Sequence, residues 1–241
     1  MRIAACQLPD IRKNIPLALS LIEASVTDAT RQGAQLVCFP ECFLQGYGAD
    51  IEYVNDVALD LASSAFKKIL RSLKGFEPTI VIGAIERKGD SFFNSAVVVE
   101  HGEPIGCYRK THLLEGEQAV FSPGDQSPVF NVGGVKVGVN ICYDLNFPDS
   151  VEAVALAGAQ LVACPCNNMM RRVTAEKLMH IHNEIRSQRA REARVWLLSS
   201  DVMGERDGRV SYGPTAVINP AGIVIDQVPL MTTGMVVAEI Q

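Results

Sequence analysis

The pentapeptide Gly-Ala-Gln-Leu-Val occurs twice, at 33–37 and at 158–162. Each copy stands between a helical pattern and an apolar run of strand length. Agreement between a short match and the order of elements around it marks an internal pseudo-repeat. In the first half, residues 2–8 read as a buried strand. Ile15, Leu19, Ile22 and Val26 then recur at helical spacing over 14–32, and Gly33 stops that helix. Ala34–Phe39 is the next strand. A second amphipathic helix is expected from Leu59 to Leu73, followed by strands at Thr79–Ile85, Phe92–Val99 and Ile105–Tyr108.

The second half repeats the order. Val135–Ile141 is a strand, Pro148–Ala157 a helix and Gln160–Cys164 a strand. One long helix is expected over Thr174–Ala193, then a strand at Val195–Ser199. Sheet segments at Thr215–Ile218, Ile223–Gln227 and Met235–Ile240 close the chain. Two such halves can stack their sheets face to face with helices outside. The expected fold is therefore α/β, a four-layer αββα sandwich with two pseudo-symmetric halves, forming one domain over residues 1–241. No low-complexity segment or linker interrupts it.

Composition sets the outer limits. Hydrophobic residues make up 48% and charged residues 20% of the chain, as in ordinary globular proteins. A net charge of −5 disfavours nucleic acid as a partner. Apolar runs fall short of the ~20 residues a membrane span needs, so no membrane partner is expected. Seven cysteines, an odd count, lie mostly in apolar runs. With Arg2–Cys6 already reading as structure and no signal peptide ahead of it, reduced thiols and a cytoplasmic location are expected. Cys164 and Cys166 form a close pair without a second pair at zinc-finger spacing, so no metal is expected. His180 and His182 read as helix or surface residues.

Three residues of different chemistry stand at the ends of strands, where open α/β sheets place their sites. Glu41 follows Leu36–Phe39 and Pro40, Lys110 follows Ile105–Arg109, and Cys142 ends the run from Val135. Past Cys142 the pattern turns at once into a helix start at Phe147-Pro148-Asp149. Strand, turn and helix in that order is how α/β enzymes raise a nucleophile out of a sheet. Each residue alone has an ordinary reading: a surface acid, a solvated basic turn, a buried thiol. Together, a thiol, a carboxylate and an ammonium can attack a carbonyl, move protons and hold an oxyanion.

Three segments resemble the motifs of the nitrilase superfamily of carbon–nitrogen hydrolases. Leu36–Glu41 with Gly46-Tyr47 is similar to its glutamate motif, Tyr108–Leu113 to its lysine motif, and Gly138–Pro148 to its cysteine motif. The resemblance runs from Arg2 to the last strands. It implies a cofactor-free mechanism in which Cys142 forms a thioester and Glu41 acts as base. Lys110 and the Tyr143 N–H would hold the oxyanion. It also implies a second active-site glutamate before Ser122-Pro123-Gly124. Glu117 fits the distance to Pro123-Gly124, and Glu115 is the alternative. A homodimer or higher homo-oligomer is expected on the same grounds.

The residues after the nucleophile narrow the substrate. Tyr143-Asp144 looks like the amidase and carbamoyl-hydrolase branches, whereas nitrile-cleaving members typically carry Trp-Glu. Asn146 replaces an arginine common in amidase-like members. Asn167, Asn168, Met169 and Met170 follow a strand end that should face Glu41, so they are expected to line the pocket. Arg171 and Arg172 offer guanidinium groups for a substrate carboxylate or for a subunit contact. The leading expectation is an amidase acting on a small carboxamide. An N-carbamoyl amine or amino-acid hydrolase follows, then a nitrilase, then a catalytically silent protein on the same fold.

Overall fold

Alternation along the first strand shows how the layers arise. A computed structural model describes residues 1–241. In β1 (Arg2–Pro9), Ile3 and Ala5 face one apolar cluster while Ala4 and Cys6 face another. A strand with both faces buried lies between two layers. The rest of the first half supplies α1 (Ile15–Arg31), β2 (Leu36–Cys38), α2 (Ile51–Val57), α3 (Ser64–Arg71), β3 (Thr79–Lys88), β4 (Ser91–Glu100), β5 (Glu103–Arg109) and the short α4 (Glu115–Gln118).

The second half supplies β6 (Val129–Val132), β7 (Val135–Val139), a 3₁₀ turn over Cys142–Asn146, α5 (Pro148–Leu156) and β8 (Leu161–Pro165). Then come β9 (Met170–Arg171), α6 (Arg172–Leu178), α7 (Ile181–Ala193), β10 (Trp196–Ser200), β11 (Val202–Arg206) and β12 (Arg209–Ser211). β13 (Ala216–Ile218), β14 (Val224–Gln227) and β15 (Gly234–Glu239) follow.

One sheet has nine strands and the other six. Ile3, Ala5, Leu36, Val81 and Val98 of the first pack against Val137, Val139, Leu161, Ala163 and Leu198 of the second. The outer face of the first sheet is covered by Ala18, Ile22 and Val26 of α1 and Phe66 and Leu70 of α3. Val151 and Val154 of α5 and Ala190 of α7 cover the second. Helix, sheet, sheet and helix are the four layers that the element order implied. No helix is long and apolar enough to cross a membrane.

The repeated pentapeptides occupy equivalent places. Gly33 and Gly158 both take positive φ, +77° and +95°, where a side chain would be strained. The next N–H reaches back five residues in each copy, from Ala34 to the Ala29 carbonyl at 2.9 Å and from Ala159 to Val154 at 3.0 Å. The glutamines bridge neighbouring strands alike. Gln35 donates to Arg2 and accepts from Thr79; Gln160 donates to Lys136 and accepts from Trp196.

The structure departs from the sequence reading in several elements. The helix expected from Leu59 begins only at Ser64, because Asp60 accepts from the Ala62 N–H and Ser63 caps Phe66. Leu59 instead bridges to Glu86. The long helix expected over Thr174–Ala193 is two helices, broken at Met179-His180. β6 escaped notice although Gly133 and Gly134, both at positive φ, make the two-residue turn that pairs it with β7. The closing strand β15 joins the first sheet, antiparallel to β1, and so ties the halves together.

Candidate active site

Glu41 enters the site because the chain past β2 folds over β3. A Cβ at Gly83 would stand 2.3 Å from the Pro40 carbonyl oxygen, so only glycine permits this approach. The Glu41 N–H donates across to the Cys166 carbonyl at 3.1 Å, joining the two sheets at this point. Lys110 follows β5, and its Nζ lies 2.8 Å from Glu41 Oε1 and 2.9 Å from Glu117 Oε1. Asn94 on β4 donates to Glu41 Oε1 at 2.7 Å and to Glu117 Oε1 at 3.3 Å. The Tyr47 hydroxyl donates to Glu117 Oε1 at 3.0 Å, and the Leu114 N–H to Oε2 at 2.8 Å.

Glu41, Lys110 and Glu117 are each only 1% exposed, so protein groups must satisfy these charges in place of water. Glu115 is exposed, and of the two glutamates weighed from the sequence the structure brings Glu117 to the cluster. Burial pushes the Glu41 pKa above its ordinary value; Lys110 opposes this and the Glu117 charge adds to it. Burial acts against the Lys110 ammonium. Glu41 and Glu117 outweigh it and hold Lys110 well above the ordinary lysine range.

Cys142 stands on a sharp corner with φ +43°, a conformation that costs a non-glycine residue about 1–3 kcal/mol. Asp144 holds that corner. One of its oxygens accepts from the Ile141 N–H and the Tyr108 hydroxyl, and the other from Thr111 and the His112 N–H. The loop after Lys110 is thereby fastened to the turn that carries the thiol. Cys142 Sγ lies 3.8 Å from Asn168 Oδ1. Its pKa is raised well above the ordinary thiol range, by hydrogen bonding with Cys166, then burial and the Glu41 charge; Lys110 acts the other way. A neutral thiol of this kind needs a base when it attacks.

Cys142 opens onto a cavity of about 460 Å³. Tyr143, Asn146, Asn167, Asn168, Met169, Met170 and Arg171 line it, so these expected pocket residues do gather there. Arg172 does not. Its guanidinium pairs with Glu205 at 2.6 Å on the surface, because the chain passes from β9 into α6 between Arg171 and Arg172 and turns the second side chain away. His182, expected on a helix or the surface, lies in α7 and lines the cavity with Leu178 and Ile185. Burial and the Arg186 charge push its pKa down to about 3, so the ring is neutral.

Sequence reasoning missed the supports. Asp201 accepts from the Asn168 backbone N–H at 3.0 Å and from its side-chain amide. Arg186 lies 3.5 Å from Asp201 and 3.2 Å from Cys166 Sγ. Asn94 and Asp201 stand next to serines in or beside their strands, and no local pattern distinguishes them. Asp144 entered the sequence reading only as a mark of the amidase and carbamoyl-hydrolase branches, and its hold on the Cys142 corner was missed as well.

An αββα sandwich that sets a thiol beside a buried carboxylate–ammonium cluster defines a class of enzymes that hydrolyse carbon–nitrogen bonds. The chain belongs to the carbon–nitrogen hydrolase family, whose model matches residues 2–241. It is similar to a nitrilase of Pyrococcus abyssi, 36% identical over 92% of this chain and 82% of the relative. It also resembles an (R)-stereoselective amidase of Pseudomonas, 29% identical over 93% of this chain and 80% of the relative. Among solved structures, an amidase from Nesterenkonia superposes with a TM-score of 0.85 at 29% identity, covering 100% of this chain and 90% of that one. The protein is thus a hydrolase of the amidase and nitrilase family.

Proposed function

We propose that this enzyme is an amidase that hydrolyses a small primary carboxamide through a thioester on Cys142, releasing ammonia and a carboxylic acid. The observation that carries this reading is the Lys110 ammonium held 2.8 Å from Glu41 and 2.9 Å from Glu117. Glu41, with its proton affinity raised by burial, takes the Cys142 proton as sulfur attacks the amide carbon. The carbonyl electrons move onto oxygen. Lys110 and the Tyr143 N–H, in the first turn of the 3₁₀ segment where backbone donors lack an internal acceptor, stabilise that charge. The carbon–nitrogen bond breaks as Glu41 passes its proton to nitrogen. Water, deprotonated by Glu41, then cleaves the thioester and returns the thiol. Glu117 and Asn94 fix Lys110 and Glu41 throughout.

Two related structures support a site that binds amides beside a nucleophilic cysteine. A cysteine-to-alanine variant of the Nesterenkonia amidase is described in complex with butyramide. A second variant carries the acetamide moiety of fluoroacetamide on its active-site cysteine. The test is intact-protein mass spectrometry with acetamide, propionamide, butyramide, N-carbamoyl amines and the matching nitriles. The expected result is ammonia release from amides and an acyl mass on Cys142, with both lost in Cys142→Ala. Undiminished amide hydrolysis by Cys142→Ala overturns the mechanism, and turnover confined to nitriles or carbamoyl compounds overturns the substrate class.

A further inference from the structure

Asn168 and Cys142 share the cavity wall, and Asn168 is only 4% exposed. Its backbone N–H donates to one oxygen of Asp201 at 3.0 Å, and its side-chain Nδ2 donates to the other. Asp201 follows β10 and is fully buried. Arg186 stands 3.5 Å from the oxygen that takes Nδ2, and the Asp201 N–H is tied to Thr215 Oγ1 at 2.9 Å. Burial pushes the Asp201 pKa up; Arg186 and the two Asn168 donors oppose the rise. A carboxylate only accepts, so the nitrogen end of the Asn168 amide must face Asp201. Turning the amide over would set oxygen against oxygen beside a buried charge.

The oxygen end therefore faces the other way. Asn168 Oδ1 lies 3.8 Å from Cys142 Sγ, and at rest its donor is the thiol S–H. That donor leaves when Cys142 gives up its proton for attack. A buried carbonyl oxygen without a donor is unfavourable, the more so opposite a thiolate. The substrate can supply a donor in its place. The reacting carbon of a simple acyl amide carries an oxygen, an acyl carbon and an amino group, and only the amino group donates. Asn167 next door cannot substitute. Its side-chain oxygen accepts from the Met169 N–H at 3.2 Å, and its amide nitrogen faces Asp10.

We propose that Asp201 is a positioning residue that turns the Asn168 oxygen toward Cys142, and that this oxygen accepts from the amino group on the reacting carbon. The pair thereby selects substrates with an N–H at that place, amides over the matching esters and ketones. This rests on the amidase reading of Cys142 and adds to it the group that recognises the leaving nitrogen. Lys110 and the Tyr143 N–H take the oxygen of the same carbon, so donors and acceptor meet the two ends of one amide.

Two measurements test the proposal, one with turnover and one without. In the first, kcat/KM is compared for butyramide and ethyl butyrate in the parent enzyme, Asn168→Leu, Asp201→Asn and the double variant. Each single variant is expected to lose at least about ten-fold on butyramide, the scale of one buried hydrogen bond, and less than about two-fold on the ester. Asn168→Leu keeps the buried Asp201–Arg186 pair and tests the N–H role whether or not Asp201→Asn folds. The double variant should lose no more than Asn168→Leu alone, because Asp201 acts through Asn168. Equal losses on amide and ester overturn the N–H role, and additive losses overturn the positioning role. In the second, Cys142→Ala, which retains Asn168 and Asp201, is titrated by NMR with butyramide and with 2-pentanone, which carries a methyl in place of the amino group. Butyramide is expected to bind at least about ten-fold tighter, and the difference should vanish when Asn168→Leu is added. Equal affinities on Cys142→Ala, or a difference that survives Asn168→Leu, overturn the proposal. If no amide is turned over while the binding difference holds, the amidase reading fails and the acceptor site stands.

Discussion

The strand after Gly33 and the strand after Gly158 make matching backbone hydrogen bonds, yet what each delivers at its end differs. Beyond β2 the chain sends Glu41 into a dry floor, where it shares Lys110 with Glu117. Beyond β8 it sends Asn167, Asn168, Met169 and Met170 to the wall of an open cavity. The floor is over-determined, since each charge there is held by several partners. The wall combines amide, thioether and guanidinium groups facing solvent-accessible space. In the proposed reading, one backbone plan carries fixed chemistry on one side and adjustable recognition on the other.

Removing the ammonium should have the largest effect. Lys110→Ala leaves two buried carboxylates without their cation and is expected to destabilise the fold by about 3–5 kcal/mol in urea denaturation. A loss under about 1 kcal/mol would mean the floor is wetter than its burial indicates. Glu41→Gln keeps the shape and removes the proposed base, so kcat should fall by about 10²–10⁴-fold with a small change in KM. A variant of the wall, Asn168→Ala, should show the opposite split, with the change mainly in KM. If both variants act on the same parameter, the division between floor and wall is wrong.

The pH profile sharpens the role of the floor. Only ionised Glu41 can accept the Cys142 proton. Its pKa is raised above the ordinary 4.5, so activity should be lost on acidification at a higher pH than a solvated glutamate would give. An acid limb of kcat/KM at or below 4.5 contradicts this placement. The smallest effect is expected at Asn146, which is exposed at the cavity edge. Asn146→Ala should change kcat/KM about two-fold at most.

What was legible in the sequence followed from local chemistry. The Gly33 stop was visible because a helix ending at positive φ favours glycine, and Gly158 holds the same place in the repeated pentapeptide. Glu41, Lys110 and Cys142 each had an ordinary reading at a strand end; their resemblance to three family motifs made them specific, and the structure brings the first two into contact. Asn94 was hidden in β4 beside Ser95, where a polar pair at the start of an apolar run looks like a strand end near solvent. Arg209 was hidden because β12 is three residues long, and it reaches the cavity through the pairing with β9. Arg172 misled for the complementary reason. Adjacent residues at a strand-to-helix junction look alike in sequence and point apart in space.

The hydrogen bond from the Glu41 N–H to the Cys166 carbonyl ties the proposed base to the seam between the sheets. Base and wall hang on opposite sides of one joint between the sheets. A fraction of an ångström of slippage there disturbs the spacing of base and thiol while most of the apolar contact between the layers survives. On heating, catalytic competence should therefore fail before circular dichroism records any melting.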